Sequence, residues 1–257
     1  MRGRRYLALA AIATALTVGT SGFAGEPRAV IELFTSQGCS SCPPADRLLA
    51  QLAQDPSLIP LSLPIDYWDY LGWKDTLALA GHANRQRAYS RVRGDRDVYT
   101  PQAVINGSVQ ALGSDRAAID KAIAQSRNNS QTLSLPLTLT IANGQLTVSA
   151  PAARSEVAQG EVWLCPLTRS IEVAIGRGEN TGHTFTYHNV VRRWIKLGDW
   201  NGQPATWSIP VTKFKVNGVD AAAVVLQNGV ASAPGVMLGA AMMPLDSKQA
   251  AVQPAKP

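Results

Sequence analysis

The 257-residue sequence carries 24 Lys and Arg against 18 Asp and Glu, a formal charge of +6, and has only three cysteines. The length suits two domains, each able to bury a core of its own, and three cysteines exclude a disulfide scaffold. The basic balance does not argue for nucleic-acid binding: Arg2, Arg4 and Arg5 stand at the very start, and without them the formal charge falls from +6 to +3.

Residues 1–24 read as an export signal. The three arginines form a basic start, Tyr6–Val18 is an apolar stretch too short for a comfortable membrane span, and Gly22-Phe23-Ala24 offers small residues for cleavage after Ala24. Arg4-Arg5-Tyr6-Leu7 echoes a twin-arginine signal, general secretion being the alternative. The location expected is periplasmic or secreted, with no stable membrane insertion after cleavage.

The next stretch, 25–127, alternates strands and helices. A strand is expected over Ala29–Thr35 and a helix over Ala45–Gln54, where Ala45, Leu48, Leu49 and Leu52 share a face. A second strand follows over Leu58–Ile65, its Pro60 and Pro64 tolerable near strand ends or on an edge. Asp75 is expected to cap a helix ending at Gly94. Asn106-Gly107 predicts a hairpin between Val98–Ile105 and Ser108–Leu112, and Ser114 caps a last helix.

Beyond a polar linker at 126–131, Leu133, Leu135, Leu137, Leu139 and Ile141 alternate with polar residues or proline. Strand patterns continue over 161–168, 171–176, 183–195, 205–211, 222–227 and 235–243. Strands at this spacing without helices predict an all-β sandwich over 132–248, followed by a disordered tail at 249–257.

The chemistry concentrates at Cys39-Ser40-Ser41-Cys42, between the first strand and the first helix, where a thioredoxin-like fold carries its redox dithiol. Unpaired amides and the helix dipole favour a thiolate there, and the spacing lets one sulfur resolve a mixed disulfide formed by the other. Cys39 is the expected nucleophile and Cys42 the resolving residue. If Ser41 caps the helix, Pro43 and Pro44 occupy the first turn, where a missing N–H costs little. A permanent disulfide, or metal binding with further ligands, is the alternative. His183 and His188 fall on opposite faces of one strand, which argues against a shared metal. Cys165 reads as a buried strand thiol or as a further resolving or intermolecular cysteine.

Other residues are read around the dithiol. Thr100 and Pro101 open a strand; in the thioredoxin reading the bond between them is cis and Thr100 presents its backbone to substrate, whereas a trans structural proline is the alternative. The loop Asp66–Asp75 follows the second strand, so it shares the sheet edge that open α/β sheets use for ligands. Tyr67 and Trp68 are candidate substrate contacts, or else they pack the loop. Glu32, Asp66 and Asp69 are candidate proton relays; Glu32 is otherwise a paired strand carboxylate. Arg85, Arg87, Arg91, Arg93 and Arg96 form a solvated face or an anionic-partner patch. Arg177–Gly182 predicts a tight loop, either a clasp against the first domain or a substrate rim.

The segment Val30–Asp46, with its Cys-Ser-Ser-Cys-Pro-Pro core, resembles the signature of a secreted thioredoxin-like family of unknown function, common in proteobacteria. Asp66–Asp75, Arg85–Tyr89, Tyr99–Gln102 and Gly176–Gly182 match it too, so the resemblance spans about residues 29–245. It implies an exported protein with an α/β thioredoxin-like domain, and it supplies no substrate. One departure is Pro64, where the family often carries a histidine.

The function expected is an exported thiol–disulfide oxidoreductase acting on protein thiols or disulfides, with a separate redox partner and without cofactor, metal or nucleic acid. The rival is a non-catalytic binding or metal-handling module that uses the same cleft.

Overall fold

The computed structural model describes residues 20–22, 26–153 and 159–245. The predicted leader lies outside these residues apart from Thr20–Gly22, and the predicted tail lies outside them entirely. Thr20–Gly22 forms a short strand, β1.

The α/β half runs β2 (Ala29–Thr35), α1 (Pro43–Leu52), β3 (Leu58–Pro64), α2 (Ala80–Arg93), β4 (Gln102–Ile105), β5 (Val109–Leu112) and α3 (Arg116–Ser126). β2 and β3 are parallel, β4 runs antiparallel to β2, and β5 returns beside β4. Every residue of β2 is buried, as expected for a strand covered on both faces. The two-residue period divides its side chains between two cores. Ala29, Ile31 and Leu33 pack with α1 and α3, whereas Val30 and Phe34 pack with α2 residues Ala83 and Tyr89.

The second half runs β6 (Thr138–Ala142), β7 (Gln145–Ala150), β8 (Gly160–Ala174), β9 (Thr184–Val191), β10 (Ile195–Trp200), β11 (Ala205–Pro210), β12 (Ala221–Val230) and β13 (Ala233–Pro244). A four-stranded sheet, β1-β6-β7-β11, packs on β8, β12 and β13 through Leu139, Val148, Leu164, Val224 and Leu238.

The larger sheet is continuous from one half to the other, in the order β13-β12-β8-β9-β3-β2-β4-β5, with β10 also paired to β8. The β9–β3 seam is a single parallel bridge, Ser62 to Val190. Proline explains its brevity. The Pro60 carbonyl accepts from Asn189 Nδ2, and the Pro64 carbonyl accepts from the Leu79 amide. These carbonyls point away from β2, so the missing proline N–H groups fall on the β9 side and spare the β2–β3 ladder.

Several local expectations are corrected. Cys42 rather than Ser41 caps α1, with Pro43 and Pro44 as its first residues. α2 begins at Ala80, because Asp75 turns its carboxylate onto the Gln37 and Leu77 amides instead of capping a helix. Asp115 caps α3 by accepting from the Ala118 amide at 3.0 Å. The alternation from Leu133 becomes a strand only at Thr138, since Leu133 has φ 48° and the amides of Leu133 and Leu135 bond instead to β13 carbonyls. Asn106-Gly107 does form the β4–β5 hairpin turn, with φ of 50° and 73°.

Candidate functional site at the Cys39–Cys42 edge

The first turn of α1 stands at the C-terminal end of the parallel β2–β3 pair, and there Cys39 and Cys42 are joined by a disulfide. The Cys42 carbonyl accepts from the Ala45 and Asp46 amides, which starts the helix. Cys39 lies just outside it, its amide bonded to the Ser36 carbonyl and its Sγ 3.4 Å from Ser41 Oγ. Both sulfurs are covered: Cys39 is 3% exposed and Cys42 0%.

Three segments enclose the pair. The first is Thr100-Pro101, whose peptide bond is cis. The Ser41 hydroxyl reaches the Thr100 carbonyl at 3.5 Å, which places this backbone beside the dithiol turn. The second is the aromatic loop. Trp68 donates from Nε1 to Thr100 Oγ1 at 2.7 Å and packs so close to Gly38 that a Cβ there would sit 3.2 Å from Trp68 Cβ. Tyr70 stacks on Trp68 and is 76% exposed, whereas Tyr67 is half-buried and donates to Gln86. Trp73 donates to Gln37 Oε1 at 2.8 Å.

The third segment comes from the β-rich half. Asn180 is buried and its Nδ2 donates to the Gln37 and Cys39 carbonyls at 2.9 and 3.0 Å. Beside it, Glu179 accepts from the Ser40 amide at 3.3 Å. Gly176 allows this approach, because a Cβ there would meet the Trp73 ring at 3.1 Å. The loop at 177–182 thus holds the dithiol turn and the aromatic loop in one hydrogen-bonded arrangement.

Behind the disulfide lies a buried acidic pair, Asp46 and Asp75, of which sequence reading assigned Asp75 only to a helix cap and did not single out Asp46. Asp46 stands one helical turn beyond Cys42, accepts from Thr35 Oγ1 at 3.2 Å, and leaves Oδ1 buried with no partner among the described residues. Burial pushes its carboxyl up to about 7, the Thr35 hydroxyl pulling the other way. Asp75 is also buried and is raised to about 6 by desolvation, against the pull of the Gln37 and Leu77 amides. Tyr187 is raised too, by burial and then by both carboxylates. The available signal was spacing: Asp46 precedes the core residue Leu49 by three and follows Cys42 by four.

The candidate relays named from sequence are placed differently. Glu32 lies on the α2 face of β2, opposite α1, because it alternates with Ile31 and Leu33. It accepts from Arg85 Nε at 2.6 Å and from the Tyr89 hydroxyl at 2.5 Å, so it is not positioned to serve Cys42. Asp69 accepts from the Asp75 amide and fixes its own loop, and Asp66 is half-exposed at the loop's start. Cys165 is fully buried, and burial pushes its thiol well up. Among the described residues no group of three His, Cys, Asp or Glu is placed to hold a metal, and no helix is long and apolar enough to cross a membrane.

With this geometry in place, comparison with known proteins identifies the family. A family of proteins of unknown function, DUF1223, matches residues 30–227, and the chain belongs to it. The crystal structure of a protein from Agrobacterium tumefaciens is similar, with 33% identity and a TM-score of 0.77 over 87% of this chain and 96% of that one. An endonuclease/exonuclease/phosphatase from Beutenbergia cavernae, at 14% identity and a TM-score of 0.19 over 42% of this chain and 23% of that one, carries no argument. No curated protein matches the chain.

Proposed function

We propose that this member of the DUF1223 family is an exported thiol–disulfide oxidoreductase of thioredoxin-like build, acting on protein thiols or disulfides through Cys39 and Cys42. The observation that carries the reading is the seat of the bonded pair: the first turn of α1, at the end of the parallel β2–β3 pair, beside the Thr100-Pro101 backbone. The strand order β3-β2-β4-β5, with α1 and α3 on one face and α2 on the other, supports a thioredoxin-like first half. The small sheet packed on β8, β12 and β13 supports a sandwich in the second. Export rests on the leader read in residues 1–24.

In the oxidising direction a substrate thiolate attacks Cys39 Sγ. The Cys39–Cys42 bond breaks and its electron pair goes to Cys42, which leaves as a thiolate. Asp46, one turn along α1 and still about half protonated near pH 7, supplies its proton. A second substrate thiolate then attacks the substrate sulfur of the mixed disulfide and displaces Cys39. The substrate has lost two electrons, and the dithiol returns them to the disulfide of a separate redox partner. Run backwards, with a dithiol donor as partner, the same steps reduce a substrate disulfide. The Thr100 backbone and the exposed face of Tyr70 beside Trp68 offer the contact surface for substrate.

The low exposure of Cys39 favours a second reading, a binding module with a permanent disulfide. Trapping separates the two. Cys42→Ala protein, incubated under native conditions with a disulfide-linked peptide, should capture one peptide at Cys39, and Cys39→Ala protein should capture none at Cys42. Capture at Cys39 only in denaturant would support the permanent disulfide.

A further inference from the structure

Away from the dithiol, a cavity of about 370 Å³ opens between α2 and the β-rich half. That volume is in the range of small-molecule sites. Its helical wall is Gly81, Asn84, Arg85, Ala88 and Arg91, a pattern of i, i+3, i+4, i+7 and i+10 that lies on one face of α2. This face carries no large apolar side chain, so the helix does not fill the gap. At Gly81 an added Cβ would meet nothing within 4 Å.

The opposite wall is aromatic. Trp163 of β8 and Trp194, just before β10, meet edge to face with centroids 6.3 Å apart. The Arg85 guanidinium lies 4.2 Å over the Trp194 ring and is held in place. Its Nε donates to Glu32, and its Nη2 donates to the Tyr89 hydroxyl and to Gln227 Oε1 at 2.6 and 2.8 Å. Its Nη1 makes no hydrogen bond among the described residues and remains as a fixed donor. Glu32 balances the Arg85 charge, so the net sign at the cavity is set by Arg91. That residue is exposed and has no ion-pair partner among the described residues. No acidic side chain lines the cavity.

We propose that this cavity binds a small aromatic carboxylate. The ring would pack beside the edge-to-face Trp163–Trp194 pair, in offset or edge-on contact, since the Arg85 guanidinium already covers one face of Trp194. The carboxylate would pair with Arg91 at the rim, the guanidinium being suited to such a partner. Arg91 is thus the specificity-determining charge, and the site is independent of the dithiol chemistry.

The test uses 2-naphthoate titrated calorimetrically into the oxidised full-length protein, with neutral 2-naphthamide as the matched control. Saturable one-to-one binding is expected, with the amide at least tenfold weaker. Arg91→Glu should weaken naphthoate at least tenfold without changing the circular dichroism spectrum, because the side chain is exposed. Gly81→Leu, which fills the open space, should weaken acid and amide alike. Absence of saturable binding up to millimolar naphthoate would overturn the proposal. So would equal affinity for acid and amide, or indifference to either substitution in the folded protein.

Discussion

Asp46 is the residue whose chemistry depends most on its surroundings. Its carboxyl ordinarily ionises at 3.8 and is held at about 7 by burial. Between those values the folded protein keeps a proton that the unfolded chain has released, so this group favours unfolding increasingly as pH rises through that window. Asp46→Asn should therefore stabilise the oxidised protein relative to wild type more at pH 8 than at pH 4, by about 2–4 kcal/mol from the size of the shift. Urea midpoints at the two pH values measure this, and an equal effect at both would show that Asp46 is not protonated in the native state. Asp75, raised to about 6, leaves a smaller slope of the same sign in the variant. At this scale the sequence was partly legible. The cysteine spacing and the Thr100-Pro101 pair pointed to segments that the structure brings side by side, because covalent reach and proline geometry act locally. Asp46 escaped notice because a carboxylate on an amphipathic helix normally faces water; the Thr35 contact that draws it inward comes from another strand. Glu32 was visible as a carboxylate within an apolar strand, but its face depended on which helix covered which side.

Among the elements, the loop at 177–182 ties the two halves together at the dithiol. Asn180→Ala removes the donor for two carbonyls at a buried position, with an expected loss of about 1–3 kcal/mol in thermal or urea stability. Alkylation of Cys39 in the reduced, folded fraction should change little. Unchanged stability with lost turnover would instead give Asn180 a direct role at the substrate. The loop itself was legible from its two glycines and its mix of Arg, Glu and Asn, because only a turn uses such residues within a strand pattern. The strand that begins at Thr138 was not. Leu133 and Leu135 alternate as a strand would, but both are buried while their amides pair with β13, a contact about a hundred residues away that no local pattern encodes. Helix starts shifted for a related reason, since Asp75 was drawn to the Gln37 amide by tertiary contact.

At the scale of the whole molecule, the continuous sheet and the Glu32–Arg85–Tyr89–Gln227 network join the halves. Gln227 belongs to β12, whereas Arg85 and Tyr89, which it bonds, lie on α2 and in turn hold Glu32 of β2. Glu32→Ala leaves a buried guanidinium without its counter-charge and should cost about 3–5 kcal/mol. With the halves joined in this way, tryptophan fluorescence and far-ultraviolet circular dichroism should report one coincident unfolding transition; two separated transitions would mean that the halves fold independently. Composition predicts a linker at 126–131, but the β3–β9 seam was not readable, because parallel pairing between distant segments leaves no trace in either strand. Turnover of the dithiol is the central expectation. The most direct measurement is the oxidation of a dithiol peptide in a glutathione buffer at substoichiometric protein. Many turnovers per molecule are expected with wild type and none with Cys39→Ala. A wild-type protein that gives no acceleration, and whose Cys39–Cys42 bond survives excess dithiothreitol in the folded state, would contradict it.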